Sequence, residues 1–265
     1  MTQEEFSKEF ELNRLKLKSF ILRITASIED SEDLVQDTFI KASEKLESYR
    51  AESSLKTWIF SIASNLAKDN LRAKKRWPET VSDICKTEAI SNPDYFPEAF
   101  KIQSSSLHGQ FEIKEHISFC LVCISKSLPL EQQISIFLKE VYDFKISEIM
   151  EIMGITEAMV KYYLHNGRTK LTQIFDNRCA LIKKEGICHQ CSELNGIFNP
   201  KQNFEIEKNK IEMVRLAEKG DKEELLDLRL KLLKEIDPFT SKGSDLQLFH
   251  LEHNKRVMEN FSELN

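Results

Sequence analysis

DSEDLVQDTFIKASEKLESYRAESSLKTWIFSIASNLAKDNLRAKKR, residues 30–76, decides how the chain is read. Its first half is a helix by periodicity: Val35, Phe39, Ala42 and Leu46 recur at helical spacing and form an apolar stripe. Ser31 is a good N-cap for it, with acidic residues in the first turn. Asp33 and Asp37 sit four apart on the opposite side, with Gln36 beside them. Like charges at that spacing weaken an isolated helix by a few tenths of a kcal/mol. They are either an ordinary solvated face or a docking face for a partner's arginines.

The second half is another helix, starting after Ser53-Ser54, with Trp58, Ile59, Ile62 and Leu66 inward. Ser61, Asn65, Lys68 and Arg72 recur at four, three and four residues and make a polar, basic ribbon. The ribbon continues through Lys74, Lys75 and Arg76 to Trp77, expected as an exposed aromatic. Cations beside an aromatic suit phosphates and stacked bases; a merely soluble helix with a basic end is the plain alternative. The loop Tyr49-Arg50-Ala51-Glu52-Ser53-Ser54 is rich in hydrogen-bonding groups, as a base-reading loop would be.

Composition narrows the class. The 265 residues hold only seven glycines and six prolines, and long runs of Leu, Ile, Lys and Glu argue for a mostly helical chain. With 38 basic and 43 acidic residues the net charge is −5, which argues against a protein that coats DNA unaided but allows local basic patches. The N-terminal MTQEEFSKEFEL is charged throughout, so no signal segment is expected there, and no window reaches membrane-span length. Six cysteines without secretory context read as thiols or metal ligands rather than disulfides. The expectation is a soluble cytoplasmic protein.

DLVQDTF followed by YRAESSLKTWIFSIASNLAKDNLRAKKR resembles the second conserved region of bacterial RNA polymerase sigma factors of the extracytoplasmic-function (ECF) type, over most of residues 6–77. The resemblance implies that Asp33, Gln36 and Asp37 dock on the polymerase β′ clamp. It also implies that the loop residues Arg50, Glu52, Ser53 and Ser54, with Asn65, Lys68, Asp69, Arg72, Lys75 and Arg76 on and after the helix, open the minus-ten promoter element and hold a flipped base. Tyr49 and Trp58 shape that region. Extruding a base costs a few kcal/mol, which stacking and edge contacts must offset.

Residues 78–112 change character: Pro78, Pro93, Pro97, Ser104-Ser105-Ser106 and Gly109 interrupt periodicity. A linker with one short helix near residues 95–100 is expected. From about residue 113 the pattern is helical again. Cys120 and Cys123 form a CxxC among Phe119, Leu121, Val122 and Ile124, where cysteine packs as a small apolar residue; Cys85 has no partner that the sequence names. In LPLEQQISIFLKEVYDFKISEIMEIMGITEAMVKYYLHNGRTKL, Ser147 is read as capping a short helix with Ile149, Ile152 and Met153 inward. Gly154 supplies the turn, Thr156 caps the next helix, and Val160 and Leu164 face in. This is a helix-turn-helix pattern. It resembles the same family's fourth region, which implies that Thr156, Glu157, Lys161, Tyr162, His165 and Arg168 meet the minus-thirty-five element. YYLHNGRTKL carries fewer arginines than many members do.

The tail is an addition to that plan. Cys179, Cys188 and Cys191 could supply three zinc ligands, with His189, His250 or His253 as a fourth; a thiol switch and plain structural cysteines are the alternatives. Asp221 can cap a helix carrying Leu225, Leu228, Leu232 and Ile236, and Ser244 another carrying Leu246, Phe249 and Val257. The tail resembles cysteine-containing extensions of some sigma factors of this type.

The expected architecture is all-α. It comprises region 2 (1–77), a linker (78–112), a region 4 helix-turn-helix (113–175) and a cysteine-containing helical extension (176–265). The implied partners are core RNA polymerase, through the β′ clamp and β flap, promoter DNA, and an anti-sigma factor as a candidate. No cofactor is required, with zinc as a candidate at the tail. A stand-alone helix-turn-helix regulator leaves DLVQDTF unexplained, and a metal-dependent nuclease at Asp33 and Asp37 lacks an evident third ligand.

Overall fold

The structure is a computed structural model and describes residues 1–72, 74–105, 113–179, 212–216, 221–240 and 244–264. Cys188, His189 and Cys191 lie outside the described residues. The fold is all-α; every element among the described residues is helical. The chain divides into two compact units, one of residues 1–76 with 129–166 and one of residues 77–128 with 167–265.

In the first unit α1 spans Gln3–Thr25 and opens with a capping box: Thr2 Oγ1 accepts from the Glu5 amide at 3.2 Å, and the Glu5 carboxylate accepts from the Thr2 amide at 2.7 Å. The helix stops at Ala26, whose φ of 58° is left-handed. That turn places Ser27 in an extended conformation, where its hydroxyl accepts from the Asp30 amide at 3.1 Å and starts α2, Ile28–Glu44. The N-cap is therefore Ser27 and not Ser31. Ser31 lies a turn inside the helix, and its buried hydroxyl donates to the Ile28 carbonyl at 2.6 Å. α3, Leu55–Leu71, begins at Ser54, whose Oγ accepts from the Thr57 amide at 3.1 Å.

The three helices close around Phe6, Phe10, Leu17, Phe20, Ile21 and Phe60, all essentially inaccessible. Phe39 of α2 stacks against Phe6 with ring centroids 5.6 Å apart. The same core continues into the later segment of the unit. There α7, Leu130–Ile136, runs into a π-helical turn, Phe137–Val141, closed by the Tyr142 amide on the Phe137 carbonyl at 3.1 Å. α8, Ile146–Met153, is capped at Lys145, whose amide donates to the Glu148 carboxylate at 2.8 Å; Ser147, read from the sequence as the cap, sits in the first turn. Gly154 turns the chain with φ 65°, a conformation that glycine adopts without steric cost. α9, Glu157–Arg178, follows, with Thr156 Oγ1 accepting from the Met159 amide at 3.3 Å.

The second unit contains α4 (Val81–Ser91), α5 (Tyr95–Ser105), α6 (Ile113–Ser125), the distal part of α9, α10 (Glu212–Leu216), α11 (Lys222–Glu235) and α12 (Ser244–Leu264). Residues 78–112 thus hold two helices where one short helix was expected. Pro97 falls in the first turn of α5, where its missing amide has no intrahelical role, so it does not break the helix. Trp77 is only 8% exposed. Its amide donates to the Lys126 carbonyl at 3.2 Å and the Lys126 ammonium lies 4.9 Å from its ring. The aromatic expected at the open end of the basic ribbon is a core residue instead.

α11 also presents a different face from the expected one. Asp221 caps it, at 2.9 and 2.8 Å from the Glu223 and Glu224 amides. The buried stripe, however, is Leu225, Leu226, Arg229, Leu230 and Leu233. Arg229 tolerates burial because its guanidinium lies 4.4 Å from the Phe175 ring and donates to the Leu225 carbonyl at 3.2 Å.

α12 brings a polar centre into the second unit. Tyr95 Oη is 2.5 Å from His250 Nδ1, the His253 ring is 4.3 Å from the Tyr95 ring, and Asn254 Nδ2 donates to Cys123 Sγ at 3.4 Å. Burial lowers the His253 pKa below its ordinary value, so the folded state binds fewer protons there than the unfolded state. Stability from this group is full above the unfolded histidine value of about 6.5 and declines as pH falls through the lower folded value. Melting followed between pH 7.5 and 5 is expected to show this loss, and His253→Gln is expected to flatten it.

Candidate functional site

The carboxylates of α2 are where the sequence placed them. Leu34, Val35, Thr38 and Ala42 are buried in the first unit, which turns Asp33, Gln36 and Asp37 outward, all exposed. Their neighbours are neutralised locally: Lys18 meets Glu32 at 2.6 Å and Lys74 meets Asp30 at 3.0 Å. Asp33 and Asp37 have no ion-pair partner among the described residues. Gln36 also lines a cavity of about 520 Å³ with Glu11, Arg14, Leu15, Lys18, Glu32 and Val35. On α1, Leu12 is 74% exposed. Exposed carboxylates without an ion-pair partner among the described residues suit a basic protein partner.

The second surface is the 49–54 loop with α3. Tyr49 holds the loop: its hydroxyl donates to the Ser53 carbonyl at 2.7 Å and its ring packs 5.0 Å from Trp58. Ala51 is left-handed, with φ 56°. Arg50, Glu52 and Ser54 are exposed and Ser53 is half-buried. On α3, Asn65, Asp69 and Arg72 share an open face, where Arg72 pairs with Asp69 at 2.9 Å. Lys75 is exposed too.

Lys68 and Arg76 lie apart from this open set. Lys68 is half-buried, and desolvation pushes its pKa down despite the nearby Glu131 carboxylate. Arg76 donates to Gln133 Oε1, and burial lowers its pKa to about 10. Gln133 is wholly buried and in turn donates to the Arg23 carbonyl at 3.2 Å. Arg23, Gln133 and Tyr142 were not read from the sequence as partners of the basic ribbon. The bonded pairs are far apart in the chain, Arg76 and Gln133 by 57 residues, Gln133 and Arg23 by 110, and Arg23 and Tyr142 by 119, and no periodicity links them.

The third surface is the N-terminal part of α9. Thr156, Glu157, Lys161, Tyr162 and His165 are exposed, and Glu157 pairs with Lys161 at 2.6 Å. Further along the helix, within the second unit, Arg168 pairs with Asp227 of α11, and Arg178 pairs with Asp83 of α4.

Among the cysteines, Cys179 is half-buried at the end of α9 and Cys188 and Cys191 are outside the described residues. Burial pushes the Cys123 thiol up to about 12 and the Cys85 thiol further up, so both are protonated packing groups. Among the described residues, no group of three or more His, Cys, Asp or Glu side chains is placed to hold a metal ion. No helix among them is long and apolar enough to cross a membrane.

These surfaces fall within two family matches, Sigma-70 region 2 over residues 10–77 and Sigma-70 region 4 over residues 118–171. The class is therefore that of proteins built from sigma-70 regions 2 and 4. The ECF RNA polymerase sigma-E factor of Escherichia coli (strain K12) is 30% identical over 153 residues, covering 58% of this chain and 77% of that protein. The chain belongs to the ECF RNA polymerase sigma factors. ECF sigma factor SigG of Mycobacterium tuberculosis is 25% identical over 182 residues, 64% of this chain, which spans 48% of that relative's length. The sigma factor RpoE, solved in complex with the anti-sigma factor NepR from Bartonella quintana, aligns with a TM-score of 0.44 at 20% identity, over 65% of this chain and 98% of that one.

Proposed function

We propose that this chain binds core RNA polymerase and directs promoter-specific transcription initiation, performing no chemistry itself. The observation that carries the reading is the exposed, unpaired Asp33 and Asp37 on a helix packed directly against the α3 helix and its loop. In this reading Asp33, Gln36 and Asp37 dock on the β′ clamp. Arg50, Glu52, Ser53 and Ser54 receive the flipped base, and Asn65, Lys68, Asp69, Arg72, Lys75 and Arg76 follow the minus-ten strand. Thr156, Glu157, Lys161, Tyr162, His165 and Arg168 meet the minus-thirty-five duplex near the β flap. Residues 1–77 and 113–175 are the two promoter-binding segments, 78–112 connects them, and residues 176–265 regulate them. An anti-sigma factor is a further candidate partner.

The test is run-off transcription with purified core polymerase on a pool of genomic promoter fragments. Promoter-specific transcripts support the reading; duplex binding without transcripts points to an independent regulator. Zinc content of the purified chain, compared with a Cys188→Ser, Cys191→Ser variant, decides between a metal site at Cys179, Cys188 and Cys191 and plain thiols.

A further inference from the structure

The first turns of α9 form the open face of the helix-turn-helix. After the Thr156 cap, Glu157, Ala158, Lys161, Tyr162 and His165 are exposed while Val160 is buried, so these five side chains share one face. Two features distinguish it from a face that grips DNA by charge. Its lysine is already held, with the Lys161 ammonium 2.6 Å from the Glu157 carboxylate. The next arginine along the chain, Arg168, is paired with Asp227 at 2.5 Å. The rest of the face is largely apolar. Tyr162 is 56% exposed and Met159, three residues before it, is 38% exposed. Ala158 lies one turn before Tyr162 and offers a bare methyl group. The Tyr162 ring rests 5.7 Å from the Tyr163 ring, which braces it at the surface.

We propose that this face selects thymine: Ala158 and Tyr162 pack against thymine 5-methyl groups in the major groove, and those methyls define the upstream element that the chain prefers. The proposal rests on the sigma-factor reading and adds the base that the helix reads. In a helix-turn-helix the first turns of the second helix meet the base edges. Each base pair presents a distinct pattern there, and the thymine methyl is the one apolar group among them. Arginine or lysine selects guanine through paired hydrogen bonds, whereas alanine and aromatic carbon select the methyl. A face whose lysine is neutralised from within has little to offer guanine or the phosphates. Packing its apolar carbon on methyl groups removes both from water. Side chains one turn apart on a helix stand about 6 Å apart, close to two base-pair steps of ~3.4 Å. The expected element therefore holds two thymines within two steps, on either strand.

Replacing thymine by deoxyuridine removes the methyl and leaves base pairing intact, which allows a direct test. The full chain is assembled with purified core polymerase, and promoters are recovered from genomic fragments by run-off transcription. The upstream element of the strongest is then synthesised with thymine or with deoxyuridine on both strands, the downstream element being unchanged. Holoenzyme affinity is expected to fall about fourfold per methyl lost, or about 15-fold for two. Tyr162→Ala, at an exposed position, is expected to weaken binding to the thymine duplex and to shrink the deoxyuridine penalty to the about fourfold share of Ala158. Equal affinity of the wild-type holoenzyme for the two duplexes overturns the proposal. So does a set of recovered promoters whose upstream elements share guanines but no thymines. A Tyr162→Ala chain that weakens both duplexes by the same factor places the ring against protein and overturns it too. Absence of transcripts from every fragment refutes the sigma reading and the proposal with it, whereas transcription that ignores the methyl refutes the proposal alone.

Discussion

Reversing both carboxylates, Asp33→Arg with Asp37→Arg, is expected to cut run-off transcription by at least about 100-fold while leaving the fold intact. Each lost charge pair at a desolvated protein interface costs about 2–5 kcal/mol, and reversal adds like-charge repulsion against a basic partner. Folding is indifferent for a local reason. Both side chains are exposed and neither holds an ion pair among the described residues, so the substitutions remove no native contact. Exposed substitutions of this kind stay within about 0.5 kcal/mol. The informative measurement is the pair of readouts together: core-polymerase affinity by titration and thermal melting of the same preparation. Lost affinity with unchanged melting supports the docking face; unchanged affinity removes it.

Phe60→Ala is expected to be the most damaging single change to the first unit. Phe60 is wholly buried and its ring lies within 5.8 Å of three others, those of Phe20, Tyr142 and Phe144. Truncating a buried phenylalanine costs about 3–5 kcal/mol through lost transfer energy and an unfilled cavity. Against a domain stability of about 5–15 kcal/mol, that is a large share. The melting transition is expected to fall by more than about 10 °C. Phe100→Ala is the control: its side chain is 53% exposed, so its melting point is expected to stay near the wild-type value. Equal shifts for the two variants would contradict the packing described for α3.

These two predictions also separate what could be read locally from what could not. The helix carrying Asp33 and Asp37 and its apolar stripe follow from spacing alone, because a 3.6-residue period fixes which side chains share a face. The start of that helix lies one turn before Ser31, at Ser27. Both serines are competent caps, and the choice fell to the left-handed turn at Ala26, a conformation no residue type there announces. On α11, leucines at 225, 226, 228, 230, 232 and 233 allow two adjacent apolar stripes. Packing selected the one that carries Arg229, because Phe175 offers its guanidinium a ring face.

The basic ribbon shows the same division. Its existence is a property of sequence: Lys68, Arg72, Lys74, Lys75 and Arg76 are close along one helix and its exit. Sequence by itself determined the all-α class, the open carboxylate face, the helix-turn-helix and its glycine turn. These depend on periodicity, capping chemistry and one backbone conformation, all of which act within a few residues. Tertiary structure alone decided that Arg72 and Lys75 stay open while Lys68 and Arg76 are covered, and that Trp77 is core. It also decided that Tyr142 and Phe144 complete a core begun some 120 residues earlier. Those outcomes depend on which distant surface is available to bury, and the energy of burial is non-directional, so nothing in a local pattern encodes it.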